Sequence, residues 1–464
     1  MKQALWGVVA AAALASCAAP GRPLEARRPP RAAGPLRVLR TNPRYFTADG
    51  RTAVYLTGSH TWFDFQDGDS ASPPRPTDYH AFLTFLTSHN LDFFRLWTWE
   101  QGSGVPWRRG PYAIAPLPYS RAGNLYDLTT FDTAYFSRLR REVTAARDRG
   151  IYVSVMLFNG FSVDRKHGAG DPWAGHPFHR GNNTTGVDGD PGGRGDGRAT
   201  QSLTLPAVMR LRVAYVRRVI DAVGDLENVL YEIVNEGDTA SAAWQAAMLA
   251  EVRRTEANRH FGPHPVGVTV DYPGGSNATL MDGAADWISP NGDVQHPPTA
   301  DGRKVILWDT DHLCGTCAPP GWAWKAFLSG LNPIFMDPYD QRDVPGYDPA
   351  DPAWERSRRE MGQTLTYAQR LDLASTTPQG RRASTGYCLA DTTATGAAYL
   401  VYVPGGTRLQ LAVAQAPAHL TAEWLDPETE RVVAGDPVAA GGVRTLDSPI
   451  SGDAVLFLHL KGRE

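Results

Sequence analysis

From about residue 52 onward, short apolar segments alternate with longer segments in which apolar residues recur at helical spacing. The short segments are apolar along nearly their whole length, which is typical of parallel strands that are covered on both faces. The predicted strands are 53–58, 93–99, 152–158, 229–234, 265–270, 286–289, 304–309 and 332–337. The predicted helical faces are Tyr79, Phe82, Leu83 and Leu86; Phe131, Tyr135, Leu139 and Val143; Met209, Val213, Val216, Ile220 and Val223; Trp244, Met248 and Val252; and Trp354, Met361, Leu365 and Ala368. Eight strands that alternate with helices or long loops favour a closed (β/α)8 barrel, the TIM barrel, over an open doubly wound sheet.

Two all-β segments complete the organisation of residues 36–464. Before the barrel strands, residues 36–56 predict a hairpin turned at Asp49-Gly50, which would cover the bottom of the barrel. After residue 375 only strand patterns and turn residues remain, so residues 376–464 predict a small β-sandwich. The barrel with its hairpin is therefore expected over residues 36–375.

The first 35 residues have the pattern of an export signal followed by a tether. A lysine precedes an apolar run at 5–15, which is too short to span a bilayer, and small residues precede Cys17. "LASC" at 14–17 resembles the lipobox of bacterial lipoproteins, which implies a lipidated Cys17 and a protein that is exported and anchored to the cell envelope. The alternative is simple secretion after cleavage near Ala19. Residues 18–35 are rich in Pro and Arg and predict a tether.

Charge and motif content narrow the possible partners. With 46 basic and 49 acidic residues the net charge is −3, which gives no indication of nucleic-acid binding. No glycine-rich phosphate loop follows a predicted strand, so no nucleotide cofactor is expected. Separately, we expect the protein to be a monomer. "CGTC" at 314–317 has C-x-x-C spacing but lacks a second Cys/His pair, so a disulfide or free thiols are favoured over a metal site.

A glycine-rich segment at 181–200 follows the third predicted strand and allows two interpretations. It is either a mobile surface loop or a loop that shapes a cleft. Its Asp188, Asp190 and Asp196 could bind calcium, but the twelve-residue ligand pattern is missing.

Polar and aromatic residues follow the predicted strands where each strand ends. In a barrel of this kind these positions converge on one face, although any single Asp or Asn there could simply cap a turn. The residues are His60, Trp62, Arg95, Trp97, Asn159, Asn235, Glu236, Asp271, Asn291, Asp309, Asp311, His312 and Asp337. Their number at one rim indicates a site for a polar ligand rather than a set of turns.

Two sources of carboxylate lie across the predicted barrel from each other: Glu236 after strand four, and Asp309 or Asp311 after strand seven. Glycoside hydrolysis requires one carboxyl group that protonates the leaving oxygen and one carboxylate that attacks or activates water. Asn235 could donate a hydrogen bond to a sugar hydroxyl, and Arg95 could keep the second carboxylate ionised. We expect His60, Trp62, Trp97, Asn159, His312 and Asp337 to contribute to substrate binding, although the Trp residues could equally serve packing.

Several segments resemble the clan A glycoside hydrolases, a (β/α)8 superfamily of cellulase-like enzymes, over residues 36 to about 460. The resemblance lies in "YLTGSHTWFDF", "FFRLWTWE", "NVLYEIVNE", "DTDHLCG" and "GLNPIFMDPYD", and in a W-x-D-P turn at Trp424, Asp426 and Pro427. It implies that Glu236 is the acid/base, that Asn235 and Arg95 assist it, and that the substrate is an oligo- or polysaccharide. It also implies a two-carboxylate mechanism with retention of configuration.

The chain departs from that superfamily at the second carboxylate, where Asp stands in place of the usual Glu. Asp311 follows Thr310 as the superfamily's Glu often follows Thr, so Asp311 is preferred to Asp309. A shorter side chain widens the gap between the two carboxyl groups, which leaves inversion open beside retention.

Two alternatives to a glycosidase follow from the same residues. The missing Glu could mark a catalytically inactive barrel that only binds carbohydrate. A metal-dependent hydrolase using His60 and His312 is less favoured, because no paired-His ligand motif is present. For the β-domain, bracing of the barrel is favoured over carbohydrate binding.

Overall fold

The computed structural model describes residues 21–25, 34–339, 351–406 and 408–460, and its centre is a closed barrel of parallel strands. The prediction of a (β/α)8 barrel followed by a β-domain is confirmed. The barrel strands are β1 (Gly58–His60), β2 (Phe93–Leu96), β3 (Tyr152–Asn159), β4 (Val229–Asn235), β5 (Val266–Thr269), β6 (Trp287–Ser289), β7 (Val305–Asp309) and β8 (Asn332–Met336). Each lies within or next to a predicted strand segment.

The helices that surround the barrel begin at residues suited to capping. Asp78, Asp132 and Asp351 each accept a hydrogen bond from a backbone N–H of the first turn, and two helices start with proline at the first position. The helices are α1 (Tyr79–Ser88), α2 (Thr133–Arg147), α3 (Pro206–Val223), α4 (Ala242–Arg259), α5 (Asn277–Asp282), α6 (Trp322–Leu328) and α7 (Pro352–Ala368). Phe131, predicted on the second helix, instead ends a strand, because Asp132 caps α2 directly after it.

The interior of the barrel is apolar at its amino-terminal end and charged at its carboxyl-terminal end. Leu36 and Phe46 from the predicted hairpin are fully buried against Phe93, Leu230 and strand residues around them. This segment therefore covers the bottom of the barrel. Its strand pair joins Arg37–Val38 to Phe46–Thr47, across a turn that precedes Asp49-Gly50. The turn at Asp49-Gly50 is closed by the two hydrogen bonds that Phe46 and Val54 exchange.

Between β1 and α1, and again between β2 and α2, the chain builds additional strands beside the carboxyl end of the barrel. Asp67–Asp69, Ser103–Val105 and Arg108–Ala115 form a three-stranded sheet, and Tyr119–Ala122 pairs with Leu125–Phe131. These strands were not predicted from the sequence. The turn between the second and third of them places Trp107 over the barrel opening.

The C-terminal domain is a seven-stranded antiparallel sheet with a two-stranded ribbon packed on one face. The ribbon pairs Arg408–Val413 with Gly442–Asp447. The sheet runs in the order Arg22–Pro23, Arg431–Val438, Leu420–Asp426, Ala454–Leu460, Ala398–Val403, Cys388–Asp391 and Thr377–Pro378. Its other face packs against the barrel helices α6 and α7, through residues such as Leu400 and Phe457 against Trp324 and Tyr367.

The W-x-D-P turn holds this domain to the barrel. Asp426 accepts hydrogen bonds from the backbone N–H groups of Glu428 and Thr429, and this fixes the turn. The Pro427 carbonyl then accepts a hydrogen bond from Gln363 of α7. Trp424 is buried beneath the ribbon, so these contacts agree with a bracing role.

The N-terminal segment is described only in part. Arg22–Pro23 pairs with residues 431–432, so this part of the predicted tether is joined to the C-terminal sheet. The predicted signal peptide and Cys17 lie outside the described residues. Within the described ranges, the helices are too short or too polar to cross a membrane.

Candidate active site

Strand register brings the polar strand ends to one edge of the barrel. Asn159 is paired with Asn235 in register, Asp309 lies opposite Ile334, and Met336 lies opposite His60. Parallel strands in a closed barrel place these carboxyl ends around a common opening. The polar residues at the strand ends therefore lie together on one face of the barrel, as predicted.

Arg95 on β2 is the centre of a buried ion network. Its guanidinium binds Glu232 of β4 at 2.6 and 2.9 Å, and it donates to Asp309 at 2.9 Å and to Asp311 at 3.1 Å. It also donates to the side-chain oxygen of Asn235 at 2.6 Å. Burial alone would lower the pKa of Arg95, but the surrounding carboxylates raise it well above its usual value. Arg95 therefore stays charged and holds β2, β4 and β7 in one arrangement.

Asp309 is fully buried inside this network. His60 Nε2 lies 3.0 Å from one of its oxygens, and the backbone N–H of Asp311 donates to its other oxygen at 3.0 Å. Burial would raise the pKa of this carboxyl, but His60 and Arg95 outweigh burial and hold the pKa well below its usual range. Asp309 is thus an ionised group that orients its neighbours from behind the site.

Asp311, two residues further along, faces the opening. Its side chain is 8% exposed, it lines the cavity described below, and Arg95 and His312 flank it at 3.1 and 3.5 Å. Of the two candidate aspartates, Asp311 is the one that a ligand in the cavity could touch.

Glu236 lies directly after β4 in the left-handed backbone region, with φ +46°. Non-glycine residues adopt this conformation only where surrounding contacts hold them there, and such residues cluster at functional sites. The backbone N–H of Glu236 donates to Thr269 Oγ1 at 2.8 Å, and its carbonyl accepts a hydrogen bond from Lys166. These contacts direct the carboxyl group into the cavity, where no described residue donates a hydrogen bond to it.

The surroundings of Glu236 favour its protonated form at neutral pH. Burial raises the pKa of this carboxyl to about 8, the nearby Asp311 and Asp309 add to the effect, and Lys166 and Arg95 oppose it. A carboxyl group in this state can donate a proton. Asp309, which is held ionised behind the cavity, cannot do so.

The cavity has a volume of about 480 Å³ and a largely aromatic wall. Trp62 stacks on Trp107 with ring centroids 4.5 Å apart, and Trp97 stacks under the imidazole of His60 at 5.3 Å. Its lining residues are Trp62, Trp97, Trp99, Pro106, Trp107, Phe161, Arg165, Lys166, Gly168, Glu236, Tyr272, Asp311, His312, Leu313, Cys314, Gly315 and Met336. Carboxyl groups between flat apolar rings suit a ligand that has both hydroxyl groups and apolar faces.

The residues predicted to bind substrate divide into three groups. Trp62, Trp97 and His312 line the cavity. Asn235 and His60 are buried just behind it, where Asn235 Oδ1 accepts from Arg95 and His60 binds Asp309. Asn235 and His60 can therefore contact a ligand in the cavity only through a polar atom that is not already bonded to the protein.

Asn159 and Asp337 are directed elsewhere, which corrects their predicted role in substrate binding. Asn159 caps the short helix Gly160–Val163 by accepting from Phe161 N, and its amide donates to the Thr98 carbonyl. Both oxygens of Asp337 bind Arg358 of α7, at 2.6 and 2.9 Å. Both side chains are fully buried and neither lines the cavity.

Glu232 and Lys166 also belong to the site, although neither was predicted from the sequence. Glu232 interrupts the apolar strand two residues after Leu230, which faces the barrel interior, so the two-residue period of a strand could have placed it inside. Lys166 comes from the loop after β3 and donates to the carbonyl groups of Glu236 and Tyr272. No local pattern marks such a residue, because both of its partners are distant in sequence.

The remaining candidate ligand groups have protein partners. Cys314 and Cys317 form a disulfide beside the cavity, which decides between the two favoured alternatives for them. In the glycine-rich segment, Asp190 binds backbone N–H groups and Asp196 pairs with Arg198, and the segment packs on Trp173 rather than lining the cavity. Among the described residues, no group of His, Cys, Asp and Glu is placed to hold a metal ion.

Comparisons with known proteins agree with this architecture. No family model and no curated relative matches the chain. Among solved structures, a family 5 glycoside hydrolase from Bacteroides vulgatus is similar with a TM-score of 0.63 at 12% identity, over 95% of this chain and 96% of its own. Another glycoside hydrolase is similar with a TM-score of 0.60 at 12% identity, over 93% and 98%. At this identity the similarity shows a shared fold: the barrel and the β-domain together.

Arg95→Met is expected to lower both stability and turnover. It leaves Glu232 and Asp309 buried without their cation, which should cost about 3–5 kcal/mol in the free energy of unfolding. Urea denaturation measures this loss, and turnover per folded molecule measures the effect on the site. Arg358→Met is the matched control, because Arg358 forms an equally buried ion pair with Asp337 away from the cavity. Equal turnover per folded molecule in the two variants would contradict a role for Arg95 in the site.

Proposed function

We propose that this protein is a glycoside hydrolase that cleaves O-glycosidic bonds of an oligo- or polysaccharide by a two-carboxylate mechanism. The observation that carries the proposal is that Glu236 and Asp311 face one aromatic cavity, where Arg95 donates a hydrogen bond to Asp311 and no described residue donates one to the carboxyl group of Glu236. Burial and neighbouring carboxylates raise the pKa of Glu236 to about 8, whereas Arg95 donates to Asp311 at 3.1 Å. The similarity of the fold to glycoside hydrolases supports the same class.

In the proposed reaction Glu236 donates its proton to the oxygen of the leaving group. Asp311, which Arg95 holds by a hydrogen bond, either attacks the anomeric carbon as the bond to the leaving oxygen breaks, or removes a proton from the water that attacks this carbon. In the first case a water molecule that gives its proton to the ionised Glu236 then releases the sugar from Asp311. Asn235 Nδ2 has no partner among the described residues, and it is the donor left for a sugar hydroxyl next to the reacting carbon. Trp62 and Trp97 provide flat apolar surfaces for the sugar.

Hydrolysis of a panel of aryl glycosides and plant or microbial polysaccharides tests this proposal. Release of the aryl alcohol or of reducing sugar from at least one substrate is the expected result. Binding of carbohydrate with no release on any substrate would favour the alternative, an inactive carbohydrate-binding barrel. Activity that disappears after chelation would instead favour a metal-dependent hydrolase.

We also propose that the mature protein is anchored to the cell envelope by a lipid on Cys17. The proposal is supported by the apolar run at 5–15 and by "LASC" at 14–17. A single acyl chain gives weak membrane binding, whereas the several chains of a lipoprotein anchor hold a protein stably.

Cys17→Ser is expected to remove the protein from the membrane fraction or to leave it unprocessed. The reason is that the sulfur atom of Cys17 carries the lipid in the proposed anchor. Membrane fractionation and intact-mass measurement of both forms check this outcome, and Cys388→Ser, which changes a buried thiol elsewhere, is the control. Identical partitioning of the Cys17→Ser variant and the unchanged protein would contradict the anchor.

A further inference from the structure

Phe161 and Tyr272 form a pair of aromatic rings at the edge of the cavity, here called the rim platform. Their centroids are 6.2 Å apart with an angle of 17° between the ring planes, and both residues line the cavity. Tyr272 is 41% exposed, although large apolar side chains in the described residues are mostly buried. An exposed ring at the edge of a cavity is a surface on which another ring can lie.

The rim platform is fixed to the backbone of Glu236. Lys166 Nζ donates to the carbonyl groups of Glu236 and Tyr272, and it lies 5.1 and 5.8 Å from the ring centroids of Phe161 and Tyr272. The backbone N–H of Tyr272 donates to the carbonyl of Gly237 at 3.0 Å. Because these contacts join the loops after β3, β4 and β5, the platform and Glu236 keep one relative position.

The order of the strands determines which part of a substrate would meet the platform. Phe161 follows β3 and Tyr272 follows β5, the two neighbours of β4, which carries Glu236. Asp311 follows β7, on the far side of the barrel opening. The sugar that is attacked must reach Asp311, and the oxygen that receives the proton must reach Glu236. The atoms beyond that oxygen therefore lie on the Glu236 side, next to the platform.

We propose that Phe161 and Tyr272 bind the leaving group of the substrate and that this leaving group contains a ring, either a second sugar or an aromatic alcohol. The inference rests on the proposed function and adds the residues that hold the departing group beside Glu236. Trp62 and Trp107 follow β1 and β2, away from β4, so their stacked rings contribute to the other part of the cavity. A ring on the platform holds the bond to be broken next to Glu236, and a leaving group without a ring lacks that contact.

Methyl and benzyl glycosides of the sugar that the unchanged protein hydrolyses fastest test this inference. Both leaving groups are unactivated alcohols, so they need similar help from Glu236, and only benzyl alcohol has a ring. In Tyr272→Ala the ratio of kcat/KM for the benzyl glycoside to that for the methyl glycoside should fall about 3- to 10-fold, the size of one lost aromatic contact. Tyr272→Phe keeps the ring and should keep the ratio. Trp107→Ala, the control, should lower both values in the same proportion.

An unchanged benzyl-to-methyl ratio in Tyr272→Ala, with a melting curve like that of the unchanged protein, would overturn the inference and leave the proposed function standing. A ratio that falls as much in Trp107→Ala would also overturn it, because the leaving group would then lie on the other rings. Failure of the unchanged protein to hydrolyse any glycoside would overturn the proposed function, and the inference with it.

Discussion

Glu236→Gln is expected to slow hydrolysis of glycosides with poor leaving groups about 10²–10⁴-fold, the usual contribution of a positioned general acid. The substitution keeps the shape of the side chain and removes the proton. Activated aryl glycosides, whose leaving groups need little protonation, should lose much less. The measurement is kcat/KM for an alkyl and a nitrophenyl glycoside of the same sugar, and full activity on the alkyl glycoside would contradict the proposed function itself.

The pH profile gives the same prediction a second readout. Glu236 acts in its protonated form and its pKa is about 8, so the rate in the unchanged protein should be retained at neutral pH and should fall as the pH rises through about 8. In Glu236→Gln this alkaline decline should disappear for aryl glycosides, because no proton remains to be lost. A decline that persists unchanged in the variant would assign it to another group.

Asp311→Asn is expected to lower turnover of alkyl and aryl glycosides alike by about 10⁴–10⁶-fold. Losses of this size are found when a group that acts directly on the reacting atom is removed. No leaving-group chemistry compensates for a missing nucleophile or base. Added formate or azide should restore part of the turnover of Asp311→Ala on aryl glycosides, because a small anion can occupy the place of the carboxylate.

Asp309→Asn is the matched comparison, since it removes a carboxylate two residues away that the cavity does not expose. This substitution weakens the interactions that His60 and Arg95 make with residue 309, so it should lower the free energy of unfolding. It should reduce turnover less than Asp311→Asn does. An inactive Asp309→Asn beside an active Asp311→Asn would reverse the assignment of the second carboxylate and leave the two-carboxylate mechanism in place.

The barrel, the lid over its base and the rim of polar strand ends follow from patterns that can be read along the chain. Strands such as 152–158 and 229–234 are apolar because both faces are covered, and this signal is local. The abrupt change from Val234 to Asn235 and Glu236 marks a strand end for the same reason. Since all parallel strands of a barrel end at one edge, the polar ends could be placed together before any contact was known.

The role of each polar strand end, in contrast, depends on contacts that form only in the folded barrel. Asp309 and Asp311 are two residues apart and locally equivalent, but Arg95 and His60 bind the first inside the barrel while the second reaches the cavity. Asp337 is directed to Arg358 on a helix that follows it in the chain. A buried charge takes the partner that pairs with it across the fold, and periodicity along the chain carries no information about that partner. The contact between Lys166 and Glu236 could not be predicted for the same reason. The two residues are far apart in sequence and lie close together only in the folded barrel.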